Sequence, residues 1–184
     1  MNRREFLYAA AASALLARNM AFADEGADLK AIAREAYLYT LPLIEMEATR
    51  VQFLARGASE NAIYGQRRLS DHTSRSVTSP NNDTLYATAW LDLAQGPVTI
   101  TLPELGRRYF SLQLMDFYSN SFAVLGTRTT GSAAATFTLI APTDASTPSQ
   151  PNVIRAPTSK VWALGRTLVD GPDDLAATLA VQGA

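Results

Sequence analysis

Hydrophobic and polar positions divide the chain into a helical segment, Asp28 to Ala55, and a strand-rich remainder. Leu29, Ile32, Ala33 and Ala36 recur at the spacing of one helix face, and Asp28 suits the N-cap. Pro42 lacks an amide proton and crowds the preceding turn, so the pattern predicts one helix to about Tyr39 and a second from Pro42 to Leu54. Gly57 would follow as the C′ residue. From Asn61 to Thr78 the pattern weakens into a polar connection carrying Arg67, Arg68, Asp71, His72 and Arg75. Ser79-Pro80-Asn81-Asn82-Asp83 is dense in turn formers. Strand-like runs follow at Thr84–Leu93, Val98–Leu102, Tyr109–Met115, Ser121–Leu125, Thr136–Ile140 and Lys160–Leu164. In the second of these Val98, Ile100 and Leu102 share one face. Asp144–Asn152 reads as a loop, and Pro172–Gln182 as a helix with proline in its first turn. Short strands separated by Gly/Pro turns predict an α+β fold. N-terminal helices pack on an antiparallel β-sandwich or jelly-roll-like body, and a short C-terminal helix closes it.

The first 23 residues stand apart. Arg3 and Arg4 precede an apolar stretch from Phe6 to Ala17, and Ala21-Phe22-Ala23 has the small-x-small form of a cleavage site. That core is shorter than the roughly twenty residues a membrane span needs. The segment therefore predicts an export signal, and Asn2-Arg3-Arg4-Glu5-Phe6-Leu7 gives it a twin-arginine character, which places the protein in the periplasm. Residues 24–184 would then form a single soluble domain with no stable membrane insertion. Removing Arg3, Arg4, Arg18 and Glu5 takes the net charge from −1 to −3.

Composition removes several classes of chemistry. Sixteen basic residues against seventeen acidic ones give no basic excess for nucleic acid. The absence of Cys excludes catalytic thiols, thiolate zinc sites and iron–sulfur clusters, and a single His excludes a multi-histidine metal centre within this chain. No phosphate-binding glycine loop, dinucleotide fingerprint or nucleophile elbow occurs. No cofactor and no metal site is predicted.

Ordered motifs carry a resemblance. Ser79-Pro80-Asn81-Asn82-Asp83-Thr84-Leu85-Tyr86 and Ala89-Trp90-Leu91-Asp92-Leu93 come first. Arg108-Tyr109-Phe110-Ser111-Leu112-Gln113-Leu114-Met115-Asp116, Gly126-Thr127-Arg128-Thr129-Thr130-Gly131 and Trp162-Ala163-Leu164-Gly165-Arg166-Thr167 follow. Together with Ala36-Tyr37-Leu38-Tyr39 before Pro42-Leu43, they make residues 30–184 resemble a bacterial family catalogued as domain of unknown function 1254. The resemblance implies an exported envelope protein without an established activity. It also implies a following domain of family 1214, where this sequence stops at Gln182-Gly183-Ala184.

Three sets of residues could carry chemistry. Asn81, Asn82 and Tyr86 form a candidate binding loop, although Asn-Asn-Asp is equally a ready-made turn. Asp83, Asp92 and Asp116 are candidate catalytic carboxylates, since two carboxyl groups within about 10 Å can divide acid and base roles. Each could instead accept turn amides. Arg108, Arg128 and Arg166 could clamp a carboxylate or phosphate, or tie strands together through internal ion pairs. Tyr37, Tyr39 and Trp90 suit a core or a pocket wall, and His72 sits alone in a polar run. Three functions follow: a periplasmic module binding an unknown small molecule or glycan; a metal-independent hydrolase or lyase using paired Asp residues; or a structural domain of an envelope protein. A second copy of the chain, or a family-1214 domain, is the expected protein partner.

Overall fold

The computed structural model describes residues 3–75, 79–145 and 152–183, with side chains described from residue 28 onward. It divides into two compact units, residues 1–44 and 45–184. The element order is α1 (Arg3–Leu54), β1 (Ile63–Gly65), β2 (Thr84–Asp92), β3 (Val98–Leu102), β4 (Phe110–Met115), β5 (Ser121–Gly126), β6 (Ala135–Ile140), β7 (Val153–Arg155), β8 (Lys160–Leu168) and α2 (Leu175–Gln182). Short 3-10 turns cover Leu93–Gln95 and Pro172–Asp174.

The helical region differs from the sequence expectation. There is one helix rather than two; it runs through Pro42 and begins well before Asp28. A proline removes one amide donor, and a single lost bond does not end a helix whose neighbours are good helix formers. The carbonyl that loses its donor to the proline is that of Leu38; the Thr40 hydroxyl, two residues before the proline, donates to the Ala36 carbonyl at 2.8 Å. The C-terminal end falls where predicted, with Gly57 at φ +91° just beyond it.

Two sheets form the sandwich-like body of residues 45–184. The larger runs β1-β2-β8-β4-β5, antiparallel throughout, and the smaller runs β3-β6-β7. One pair departs from the expected antiparallel body, since β6 and β7 are parallel. Strands β1 and β7 were not foreseen, because three residues are too few to show an alternation. Strand β8 continues four residues beyond its predicted end at Leu164, since β2 and β4 flank it on both sides. The expected loop Asp144–Asn152 falls largely outside the described residues.

Both faces of the large sheet bury apolar side chains. Ala89 and Leu91 of β2, Leu112 and Leu114 of β4, and Val161 and Ala163 of β8 meet Phe137 and Leu139 of the small sheet. Strand alternation sends Trp90, Met115 and Trp162 to the opposite face, where they pack with Met46 and Phe53 from the end of α1. Trp90 and Trp162 are directly opposed in the ladder, and their rings stack with centroids 5.2 Å apart at 7°. The Trp162 indole donates to Thr88 Oγ1 at 2.7 Å. Large-to-small replacement of a buried Trp costs about 3–5 kcal/mol. Trp90→Ala should therefore lower unfolding stability by about that amount in urea titrations, whereas truncating exposed Val124 to Ala should change it by less than about 0.5 kcal/mol.

Candidate functional site

The antiparallel ladders gather most of the candidate residues at one end of the large sheet. Tyr86 opposes Arg166, Arg166 opposes Ser111, and Ser111 opposes Gly126, one row crossing four strands. Directly opposed residues share a face. Asn81, Asn82 and Asp83 precede β2 at this end, Arg108 precedes β4, and Arg128 follows β5. Asp92 and Asp116 lie at the other end. Asp83 and Asp92 are separated by the length of β2, about 30 Å at the usual strand rise.

The three arginines have different environments. Arg108 is a latch. Its Nη2 donates to Asp174 Oδ1 at 2.7 Å, and its Nη1 donates to Asp174 Oδ2, to the Leu168 carbonyl at 2.7 Å and to Thr178 Oγ1 at 2.6 Å. Thr178 is completely buried, so the cluster fixes α2 against the end of β8. The hydrogen bond from Arg108 holds the Asp174 carboxyl well below the usual carboxylate range, and Asp174 raises Arg108 in turn. An open depression of about 650 Å³ beside the latch is lined by Arg107, Arg108, Asp170 and Val181 among others.

Arg128 sits over the Tyr109 ring, 5.2 Å from its centroid. The turn that aims it is a backbone device. The Gly126 carbonyl accepts from the amides of Thr129, Thr130 and Gly131, and the Gly126 amide donates to Thr130 Oγ1. Gly126 has φ +142°, and a Cβ there would come within 2.2 Å of the Phe110 carbonyl oxygen, so only glycine fits.

Arg166 stands on the central strand of the five, half-buried. Its guanidinium lies 5.3 Å from the centroid of the Tyr86 ring, and Nη1 donates to Gln113 Oε1 at 3.3 Å. Among the described residues it has no carboxylate partner. Gln113 was missed by the sequence reading, although its signal was visible: a polar residue between Leu112 and Leu114 marks the face opposite the core.

The asparagine loop is a turn. Asn81 Oδ1 accepts from the amides of Asp83 at 2.6 Å and Thr84 at 3.2 Å. Asn82 and Asp83 are exposed, and Tyr86 is half-buried. Asp116 accepts from the Tyr118 and Asn120 amides and from the Asn120 side chain. Asp92 accepts from the Ala94 amide, from Gln95 and from Lys160 Nζ at 3.0 Å. Burial alone would push the Asp92 carboxyl up, but the bonds from Lys160, Gln95 and Ala94 outweigh it and hold it below its ordinary value. Lys160 also bonds Glu60, which bonds Arg50 of α1, so Asp92 ends a chain of ion pairs from helix to sheet. Of its two expected places Trp90 takes the core, and His72 is exposed on the surface. Tyr37 and Tyr39, expected in a core or pocket wall, are 58% and 68% exposed on α1.

These elements define an α+β domain: a two-sheet β body joined to the end of a helix, with a short second helix latched to one end of the body. The model of the family described as "Protein of unknown function (DUF1254)" matches residues 60–184, and the chain belongs to that family. The match begins downstream of Ala36–Leu43, so the helical part of the resemblance lies outside it. The VPA0106 protein from Vibrio parahaemolyticus has a similar fold in its crystal structure, with a TM-score of 0.64 at 24% identity over 80% of this chain. The chain spans 35% of the length of that protein. A comparison with curated proteins finds no match.

The latch gives a pH-dependent outcome. The Asp174 carboxyl is lowered in the folded state, so its contribution is fully present above the ordinary carboxylate pKa of 3.8 and is lost as the pH falls below it. Asp174→Asn should lower Tm at neutral pH and expose α2 to limited proteolysis. The Tm difference from wild type should hold between about pH 5 and 8 and shrink below about pH 4, as followed by circular dichroism melts.

Proposed function

We propose that this domain of unestablished function is an exported binding module that takes a small carboxylate-bearing ligand, an acidic sugar or a small organic acid, on the outer face of the large sheet. One observation carries the proposal: Arg166 is a half-buried guanidinium on the central strand with no carboxylate partner among the described residues. Charges drawn out of water are normally paired, and a planar guanidinium offers two parallel donors to a carboxylate. Tyr86 supplies a ring beside it and Gln113 an amide, the mixture of aromatic wall and oriented polar groups that suits sugars and small acids. Export rests on the pattern of residues 1–23. Among the described residues no helix is long and apolar enough to cross a membrane.

The same geometry gives the hydrolase or lyase reading less support. Asp83 and Asp92 are at opposite ends of a nine-residue strand, Asp92 is committed to Lys160, and Asp116 holds its own turn. The binding proposal needs none of the three.

The test is an amide-resolved NMR titration with galacturonate, glucuronate and small dicarboxylates, with neutral galactose as control. At least one acid should give saturable shifts around Tyr86, Gln113 and Arg166, and galactose none. Arg166→Gln, on the outer face and outside the core, should weaken binding at least about tenfold, the value of one charge-assisted pair. Absence of saturable shifts across the acids, or unchanged affinity in Arg166→Gln, would overturn the proposal.

A further inference from the structure

Arg166 shares its face of the large sheet with a second guanidinium. The row of Tyr86, Arg166 and Ser111 has a neighbour one step toward the end of the sheet. Thr84 precedes Tyr86 by two residues and opposes Leu168, which follows Arg166 by two. The Leu168 amide donates to the carbonyl of Tyr109, two residues before Ser111. Residues two apart in a strand share a face, so Thr84, Leu168 and Tyr109 form a second row on the outer face. Arg128 rests on the Tyr109 ring at the end of that row, as Arg166 rests on the Tyr86 ring at the end of the other. Neither guanidinium has a carboxylate partner among the described residues.

Both cations are held in place. Gln113 fixes Arg166, and the turn after β5 fixes Arg128 through three amides on the Gly126 carbonyl and the Thr127 hydroxyl on the Phe110 carbonyl at 3.2 Å. An aromatic ring attracts a guanidinium through its face without consuming the conventional N–H bonds, so donors remain for a planar carboxylate. The spacing calls for two anionic groups rather than one. Tyr86 and Tyr109 stand two strands and one row apart, about 12 Å between Cα positions at the usual strand spacing and rise. One carboxylate or phosphate cannot grip both guanidiniums bidentately across such a span, whereas two carboxylates joined by a short chain can. Thr84 adds a separate sign. It is 5% exposed, and its Oγ1 has no hydrogen-bond partner among the described residues. Buried hydroxyls are normally satisfied, so the second row holds an unmet polar atom that a polar guest would complete.

We propose that the outer face is a two-point clamp for a short linear dicarboxylate, with one carboxylate on Arg166 and the other on Arg128. The clamp rests on the carboxylate-binding reading of Arg166 and adds the second anchor, which defines the ligand as a diacid. The test titrates the full chain with glutarate, adipate and the monoacid butyrate at one salt concentration, followed by amide NMR. The better diacid should bind at least about tenfold tighter than butyrate, the value of a second charge-assisted pair, and should shift Arg128 as well as Tyr86, Gln113 and Arg166. Arg128→Gln should bring the diacid down to the wild-type affinity for butyrate, and Arg166→Gln should weaken both acids. Arg56→Gln, which removes an equal charge from an exposed position after α1, should leave diacid binding as it was. Three results would overturn the clamp and leave the Arg166 reading standing: diacids no tighter than butyrate, undiminished diacid affinity in Arg128→Gln, or an equal loss in Arg56→Gln. Absence of binding by all three acids would overturn the clamp and count against the underlying reading as well.

Discussion

The nine-pair ladder between β2 and β8 is the constraint on which the rest of the body depends. A strand register fixes which side chains share a face, and a slip of one residue would exchange the two faces entirely. Here both faces of the ladder are used, so no slip is tolerated. One face delivers Leu91, Val161 and Ala163 to the core between the sheets, while the other delivers the Trp90–Trp162 stack to the end of α1. The same alternation, carried toward the start of β2, sets Tyr86 against Arg166. Toward the far end it sets Asp92 against Lys160, where the ion pairs to Glu60 and Arg50 begin.

That ladder also explains why three arginines in similar motif settings have different roles. Arg108 lies just outside the sheet, where Asp174 and Thr178 of the closing segment can reach it, and becomes structural. Arg128 is carried on a glycine-dependent turn and rests on Tyr109. Arg166 is held in mid-sheet, where β2 and β4 supply a ring and an amide but no acid. The family motifs are therefore mostly instructions for the backbone. Asn81 closes a turn, Gly126 permits one, and Asp116 holds another.

Much of this was legible from residue pattern. The six longer strands declared themselves by alternation and by their Gly, Pro and Asn boundaries, and Val98–Leu102 was placed to the residue. The short strands β1 and β7 were not legible, because they exist through pairing with longer neighbours rather than through any pattern of their own. Pro42 misled for the opposite reason: a strong local signal was overridden by the helix-forming residues around it. For the site, residue type identified the candidate groups but not their partners. Asp174 reads as an acidic residue in a helix's first turn, and nothing in the sequence joins it to Arg108, sixty-six positions away.

Amide hydrogen exchange measures the ladder most directly. Backbone amides that open only with the whole structure exchange most slowly. If β2 and β8 organise the body, their shared amides exchange at the rate of global unfolding, and β1, β7 and α2 exchange earlier. Faster exchange along β2–β8 than along β3–β6 would mean that the small sheet holds the body together, and would contradict the account.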